Sequence, residues 1–200
     1  MKKLLIGAVA LMAVACSQGG ETAAPSLAGD WKVSPEQSRV SFVTIKAGTV
    51  VEPHFFKGVS GDVKGDGTAT VKLDLKSLVT QPDTRFTRMQ EKLFEVTTYP
   101  EATITAKLDP AKFEGMAIGE RKIETVPINV DLHGAKVDYD AEVYVTRTGP
   151  NSVVVDTTNP IIVEAGDFNL KPGLDELQKL ANLNAITPAT PVTFSLTLTK

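Results

Sequence analysis

Alternation of apolar and polar residues is the pattern that most constrains the fold of this chain. Every second residue is apolar from Val126 to Leu132, and the same holds from Val137 to Val145 after a short turn at residues 133–135. The C-terminal segment 192–199 repeats the pattern. A period of two is typical of β-strands that have one face on a core and the other in water. The sequence therefore predicts an all-β domain.

Eight segments have the composition of strands, and turn residues separate several of them. Gly65-Asp66-Gly67 predicts a hairpin, because glycine accepts the positive φ angles of such turns. An even number of mostly sequential antiparallel strands favours a closed up-and-down barrel, which leaves no exposed sheet edge. Two short amphipathic helices, over 84–94 and 173–184, are expected to pack near a rim of the barrel. The predicted strands are 38–50, 58–64, 68–76, 102–108, 122–132, 136–147, 152–163 and 191–199.

The expected interior of the barrel is lined by small residues. Inward candidates on the strands are Gly61, Ala69, Ala102, Ala106 and Ala141, whereas most phenylalanines fall in or near the connections. An eight-stranded barrel either fills with side chains or holds one small ligand. Periodicity alone leaves an apolar cavity and a filled core equally open.

Composition and charge exclude several classes of function. The net charge is −3, which argues against a nucleic-acid-binding protein. A single cysteine and two histidines exclude a disulfide framework and supply metal chemistry poorly. The acidic residues offer many carboxylate pairs, but no pattern selects a hydrolytic pair, and no nucleophile motif is present. We therefore expect a protein that is not an enzyme and has neither a catalytic residue nor a metal or other cofactor.

The first residues have the pattern of an export signal. Lys2 and Lys3 precede an apolar stretch that runs to Ala15, shorter than the roughly 20 residues of a membrane-spanning helix. Small residues lead directly to Cys16, which resembles a bacterial lipobox, with a plain signal peptide and a free cysteine as the alternative. We expect a lipoprotein signal peptide at 1–15, acylation of Cys16, and a flexible tether over 16–29. Ser17 favours the outer membrane, so the predicted location is its periplasmic face.

Short motifs occur in a fixed order along the chain from Trp31 to Thr199. They are Trp31-Lys32-Val33, Ser38–Phe42, His54–Gly58 with Gly61, Leu75–Thr80 with Arg85, Leu93-Phe94-Glu95, Tyr99-Pro100, Leu132-His133-Gly134, Thr146-Arg147 and Asp167–Leu170. Together these motifs resemble the YceI-like family of lipocalin-like periplasmic proteins. The resemblance implies that 30–200 form an eight-stranded antiparallel lipocalin-like barrel with a long isoprenoid chain in its hydrophobic interior, which favours the cavity over the filled core. It supplies no catalytic residues.

The expected ligand is a non-covalently bound isoprenoid lipid of the polyprenyl or quinone type. Arg85 or Arg147 is expected to contact its polar head at a barrel mouth, with an ordinary surface role as the alternative. The two histidines, His54 and His133, are expected to form hydrogen bonds. The other partners are the membrane, through acylated Cys16, and a second copy of the chain, which the sequence leaves open. The alternative function is a structural or interaction lipoprotein with a filled barrel. The candidate ligand-binding residues are Phe42, Phe55, Phe56, Arg85, Phe86, Met89, Leu93, Phe94, Ala141, Val143, Arg147, Phe168, Leu174 and Leu177.

Overall fold

The computed structural model describes residues 26–200, which form twelve strands and two short helices. The predicted signal peptide, Cys16 and most of the predicted tether lie outside the described residues. Helix α1 is Asp83–Arg88 and continues into a π-helical turn at Met89–Leu93, and α2 is Lys171–Leu180. The strands are β1 Trp31–Val33, β2 Arg39–Lys46, β3 Val50–Phe56, β4 Val59–Val63, β5 Thr68–Asp74, β6 Leu78–Val79, β7 Glu101–Lys107, β8 Arg121–Leu132, β9 Ala135–Gly149, β10 Ser152–Thr157, β11 Ile161–Glu164 and β12 Ala189–Thr199.

The twelve strands form a closed antiparallel barrel with eight strand positions around it, which we call staves. Four of the eight staves are each interrupted once, so that each of these four contains two strands. β1 and β2 both pair with β12 and together make the first stave. β3 and β4 make the second stave, β5 and β6 make the third, and β10 and β11 make the seventh. The pairing of β1 with both β4 and β12 closes the barrel. This confirms the predicted eight-stranded barrel.

The strand predicted over 38–50 is in fact a strand, a turn and the start of a second strand. β2 ends at Lys46, residues 47–49 turn, and β3 begins at Val50. The turn uses Ala47 at φ 51° and Gly48 at φ 72°, and Ala47-Gly48 is a weak turn signal in a sequence. Short apolar stretches on both sides hide this turn. As a result, β3 was not predicted, and Phe55 and Phe56 lie within a strand and not in a connection.

The two ends of the barrel differ. We call one the helix end, formed by the turn at 47–49, α1 with its π-helical turn, the turn at 133–134 and α2. The other is the loop end, formed by the turn at 64–67, the connection 108–120 and both ends of the described chain. Both helices therefore pack at a rim, as predicted, and the structure places them at the same one. No helix within residues 26–200 is long and apolar enough to cross a membrane.

α2 lies very close to the π-helical turn, and glycine makes this approach feasible. A Cβ atom on Gly173 would lie 2.1 Å from the carbonyl oxygen of Lys92. Lys92 and Glu176 add an ion pair of 3.1 Å across the same contact. The two helical segments thus form one cover over the helix end, with Leu93 and Leu174 buried beneath it.

Candidate functional site

An apolar cavity of about 280 Å³ runs along the inside of the barrel. This volume is close to the lower end of the range of small-molecule sites, roughly 300–1,000 Å³. Nearly all of its wall is hydrocarbon, so it suits an apolar guest. The wall consists of Val40, Phe42, Thr44, Phe56, Val63, Ala69, Val71, Leu73, Leu75, Leu93, Phe94, Ala102, Ile104, Ala106, Leu108, Val126, Ile128, Val130, Leu132, Tyr139, Val143, Val155, Ile161, Val163, Ala165, Phe168, Leu170, Leu174, Thr187, Pro188, Thr190, Val192, Phe194, Leu196 and Leu198.

Small side chains on neighbouring strands help to leave this space open. Ala69 on β5 is paired with Ala106 on β7, and Leu73 is paired with Ala102. All three alanines line the cavity, as their alternation in the sequence predicts. A pair of methyl groups at one level of a barrel projects less far inward than larger aliphatic side chains would. The wall is therefore set back on this side.

Aromatic side chains close the cavity toward the helix end. The rings of Phe42 and Phe56 stack with their centroids 5.5 Å apart. Phe94, which directly follows the π-helical turn, meets both rings edge-on, at 6.4 Å and 5.6 Å. Phe168 is fully buried on the opposite side, where its ring stacks at 6.3 Å on Tyr139. This end of the cavity has a preformed aromatic cover.

A polar cluster adjoins the cavity beside this aromatic cover. Its uncharged part is a chain of hydrogen bonds in which His54 Nε2 is 2.9 Å from Thr44 Oγ1 and His54 Nδ1 is 2.8 Å from Thr80 Oγ1. Thr44 is also part of the cavity wall. Burial first, and the nearby Arg85 guanidinium second, lower the pKa of His54 from 6.5 to about 4. His54 is therefore neutral at pH 7. The polar cluster consists of Thr44, Lys46, Glu52, His54, Thr80 and Arg85.

The charged part of the polar cluster consists of one carboxylate that forms ion pairs with two cations. Glu52 binds Lys46 at 2.7 Å and also forms an ion pair with Arg85 of α1. The register places Glu52 directly opposite Thr44, so both project from the same face of the β2–β3 hairpin. With His54 neutral, two positive charges meet one negative charge. The three side chains retain only 17–26% of their exposure, so solvent screens this excess charge incompletely.

Sequence reasoning missed most of the polar cluster. Only Arg85 was a candidate, because Lys46, Glu52 and Thr44 lie on a hairpin that was not predicted. The signal was nevertheless present. Residues 42, 44 and 46 share one face of their strand. With a turn placed near Gly48, residues 52, 54 and 56 of the next strand lie on the same face of the hairpin.

The structure brings half of the candidate ligand-binding residues to the cavity. Three others, Phe86, Met89 and Leu177, pack behind the wall against the same core. Ala141 projects inward and is 1% exposed, between the cavity-lining Tyr139 and Val143. Arg85 lies in the polar cluster. The candidates in the wall itself are Phe42, Phe56, Leu93, Phe94, Val143, Phe168 and Leu174.

The placement of Phe55 corrects one prediction. Adjacent residues of a strand point to opposite faces, so Phe55 and Phe56 cannot both face the interior. Phe56 is the inward residue, and Phe55 lies on the outer face with the guanidinium of Arg39 4.1 Å from its ring centre. Phe55 is therefore not in a position to line the cavity.

Arg147 lies far from Arg85, at the loop end of the barrel. It is 1% exposed, and its guanidinium donates to the carbonyl oxygens of Met116 at 2.8 Å, Pro150 at 3.2 Å and Gly149 at 3.3 Å. These bonds hold the connection 108–120 and the turn after β9 over the barrel. The structure thus gives Arg147 a structural role, and the two arginines do not share a site.

The second histidine forms a hydrogen bond at some distance from the first. His133 occupies the β8–β9 turn at φ 51°, and its Nε2 is 2.9 Å from a carboxylate oxygen of Glu95. Its ring packs on Tyr99 at 4.2 Å. Within residues 26–200, no group of three His, Cys, Asp or Glu side chains is arranged to hold a metal ion.

Comparisons with known proteins agree with this geometry. Residues 31–198 match the model of the YceI-like domain. A solved polyisoprenoid-binding domain from Saccharophagus degradans, implicated in plant cell wall breakdown, is 34% identical to this chain with a TM-score of 0.82. That match covers 84% of this chain and 97% of the other. BcnA of Burkholderia cenocepacia, at 21% identity and a TM-score of 0.63, covers 82% and 98% and shows the same fold. No curated protein sequence matches the chain.

Proposed function

The chain belongs to the YceI-like domain family, and from that premise we propose that it binds and carries or stores a long-chain isoprenoid lipid in its barrel. The observation that carries this proposal is the hydrocarbon-lined cavity along the barrel interior, with a polar cluster at one end. A lipid with an apolar chain and a polar head has the same asymmetry. The proposal is supported by the polyisoprenoid-binding domain that shares 34% of its sequence.

The cavity wall explains how such a lipid would be held. Burial of alkyl groups contributes about 0.8 kcal/mol per CH₂ before ordering costs are subtracted. This contribution needs no directional contacts, and the wall offers few. Affinity would therefore rise with the length of chain that fits inside. The role proposed here is non-enzymatic.

We place the head group at the polar cluster. Arg85 and Lys46 share one carboxylate, so the cluster carries an excess positive charge beside the cavity. Arg binds phosphate oxygens with paired hydrogen bonds, and it also donates to a quinone carbonyl. The excess charge and the hydrogen-bond donors would both stabilise the bound head group of a polyprenyl phosphate. Only the donors would stabilise the head group of a quinone.

Arg39 provides a matched control for this placement, because it lies on the outer face of the same hairpin. Arg85→Gln should weaken binding of farnesyl phosphate more than binding of farnesol, and Arg39→Gln should change neither. If both variants bound the two ligands as tightly as the wild type does, Arg85 would not contact the head group.

The proposed location is the periplasmic face of the outer membrane, with Cys16 acylated. The first described residues lie at the loop end, opposite the polar cluster. An anchor on this side would attach the protein to the membrane at the end of the barrel that lies opposite the polar cluster. Mass spectrometry of the N-terminal peptide from the native protein tests this assignment, and an unmodified Cys16 would refute it.

Native mass spectrometry tests the function itself. All barrel strands lie within residues 31–199, so the chain from Gly20 onward, exported behind a replacement signal and purified without detergent, contains the whole domain. We expect a hydrophobic molecule in near one-to-one ratio, identified as an isoprenoid after solvent extraction. A protein that is purified without a bound molecule and does not bind added isoprenoids would instead support a structural or interaction role.

A further inference from the structure

A second cavity, of about 120 Å³, lies at the loop end of the barrel. Its wall includes Val145 and Val153, which project inward from β9 and β10 and are not part of the first cavity. Phe113 and Pro110 of the connection 108–120 cover it from above. The polar cluster is at the opposite end, so this space is as far from the proposed head group as the barrel allows.

The two cavities are neighbours along one axis. They share six wall residues, all from the strands or their immediate ends: Val63, Leu108, Val126, Val143, Val155 and Leu198. These side chains lie between the two spaces. An apolar chain that fills the first cavity, with its head at the polar cluster, therefore needs only these side chains to move aside to reach the second cavity.

The first described residues form the end wall of the second cavity. Leu27 packs into the core of the loop end, and its carbonyl oxygen accepts a hydrogen bond of 2.9 Å from Trp31 Nε1. Lys200 fixes the segment from outside, since its ammonium group donates to the carbonyl of Ser26 at 3.1 Å and lies 4.8 Å from the centre of the Trp31 ring. Lys200 thus places a charged group on the outer side of this wall.

We infer that the second cavity holds the distal end of the isoprenoid chain and that Leu27 and Trp31 set the longest chain the barrel accepts. This inference rests on the proposed function. A chain short enough to end before this wall is buried completely. A longer chain must either fold back on itself or push methylene groups past the wall into water.

Substituting a residue that lines only the second cavity tests the inference. Val145→Phe narrows that cavity, and Ile123→Phe is the control because it places the same ring on the outer face of the neighbouring strand, where Ile123 is 58% exposed. Farnesol, geranylgeraniol and solanesol, in order of increasing length, are supplied together to the chain from Gly20 onward. Bound fractions are read by native mass spectrometry.

We expect Val145→Phe to bind farnesol as the wild type does and solanesol at least tenfold more weakly. Exclusion of two methylene groups suffices for a factor of about ten in Kd. Ile123→Phe should match the wild type. Equal weakening of all three prenols, or no change in their ranking, would overturn the assignment of this cavity to the chain end.

A second variant keeps the test decisive if Val145→Phe does not fold. Leu27→Gly removes one side chain of the end wall. Leu27 lies outside the strands of the barrel, so this change leaves the strands themselves unaltered. It should raise the share of solanesol relative to farnesol, and an unchanged share would refute the role of the wall. A wild type that binds none of the three prenols would refute the proposed function itself, whereas binding without length dependence refutes only this inference.

Discussion

Acidification from pH 7.5 to pH 4 should destabilise this protein mainly through one side chain, His54. Its imidazole is 1% exposed, and each ring nitrogen is hydrogen-bonded to a threonine hydroxyl. Burial is the main cause of its lowered pKa, followed by the positive charge of Arg85, while Glu52 opposes the shift and Lys46 reinforces it. The folded protein thus prefers neutral His54, whereas the unfolded chain takes up a proton near the ordinary pKa of 6.5.

The size of the effect follows from the difference between the two pKa values. Above pH 6.5 the imidazole is neutral in both states and the contribution is constant. As the pH falls below 6.5, the unfolded state binds the proton first, so the free energy of unfolding decreases. At 1.36 kcal/mol per pKa unit, the loss is about 2 kcal/mol at pH 5 and levels off at about 3 kcal/mol below a pH of about 4.

Urea unfolding from pH 7.5 down to pH 4, followed by circular dichroism, measures this loss. His54→Asn is the matched variant, because asparagine keeps a polar group near the threonines and does not titrate in this range. The variant should be less stable at pH 7.5 but should lose about 3 kcal/mol less than the wild type on acidification. Parallel curves for the two proteins would show that the fold does not hold His54 neutral.

Three substitutions test other parts of the structure. Ala141→Trp should leave the circular dichroism spectrum of the barrel intact but abolish lipid uptake, since the indole projects inward beside Val143; a folded variant that binds normally would show that this position does not control access. Arg147→Ala should lower the free energy of unfolding by about 3 kcal/mol, because the buried carbonyl of Met116 loses a charged donor; urea unfolding checks this, and a loss below 0.5 kcal/mol contradicts it. Gly173→Ala should cost about 1–3 kcal/mol, because the new methyl group collides with the Lys92 carbonyl, and a melting temperature equal to that of the wild type would contradict the close approach of α2.

The regular strands could be predicted from the sequence because their signal is local. The alternation from Val126 to Val145 fixes which residues of β8 and β9 face inward, and Ala69 and Ala106 line the cavity as their positions predict. The hairpin of β2 and β3 could not be placed, because Ala47-Gly48 is a weak turn and the strands on both sides are irregular in polarity. Without that hairpin, Phe55 is a candidate ligand-binding residue in the sequence, although it lies on the outer face of β3.

The candidate site was predicted less completely than the fold, for a physical reason. Whether a barrel is filled or hollow depends on how side chains from distant strands sum to a volume, and no single segment carries that information. The same holds for the polar cluster, in which Glu52 meets Arg85 across 33 positions of sequence. The role of Arg147 could not be predicted either, because a charged residue near a strand end has the same local pattern whether it binds a ligand or the carbonyls of its own loop.

Both ends of the described chain meet at the loop end, where Lys200 binds the carbonyl of Ser26. A short glycine-rich linker could therefore join them without stretching the barrel, and new termini could be opened in the exposed turn at 47–49. Such a circular permutant would keep every strand pairing while moving the free chain ends from the loop end to the rim beside the polar cluster. A membrane tether attached there would be joined to the opposite end of the same barrel, so comparing the two tethered forms in cells would reveal whether the end of attachment affects lipid exchange.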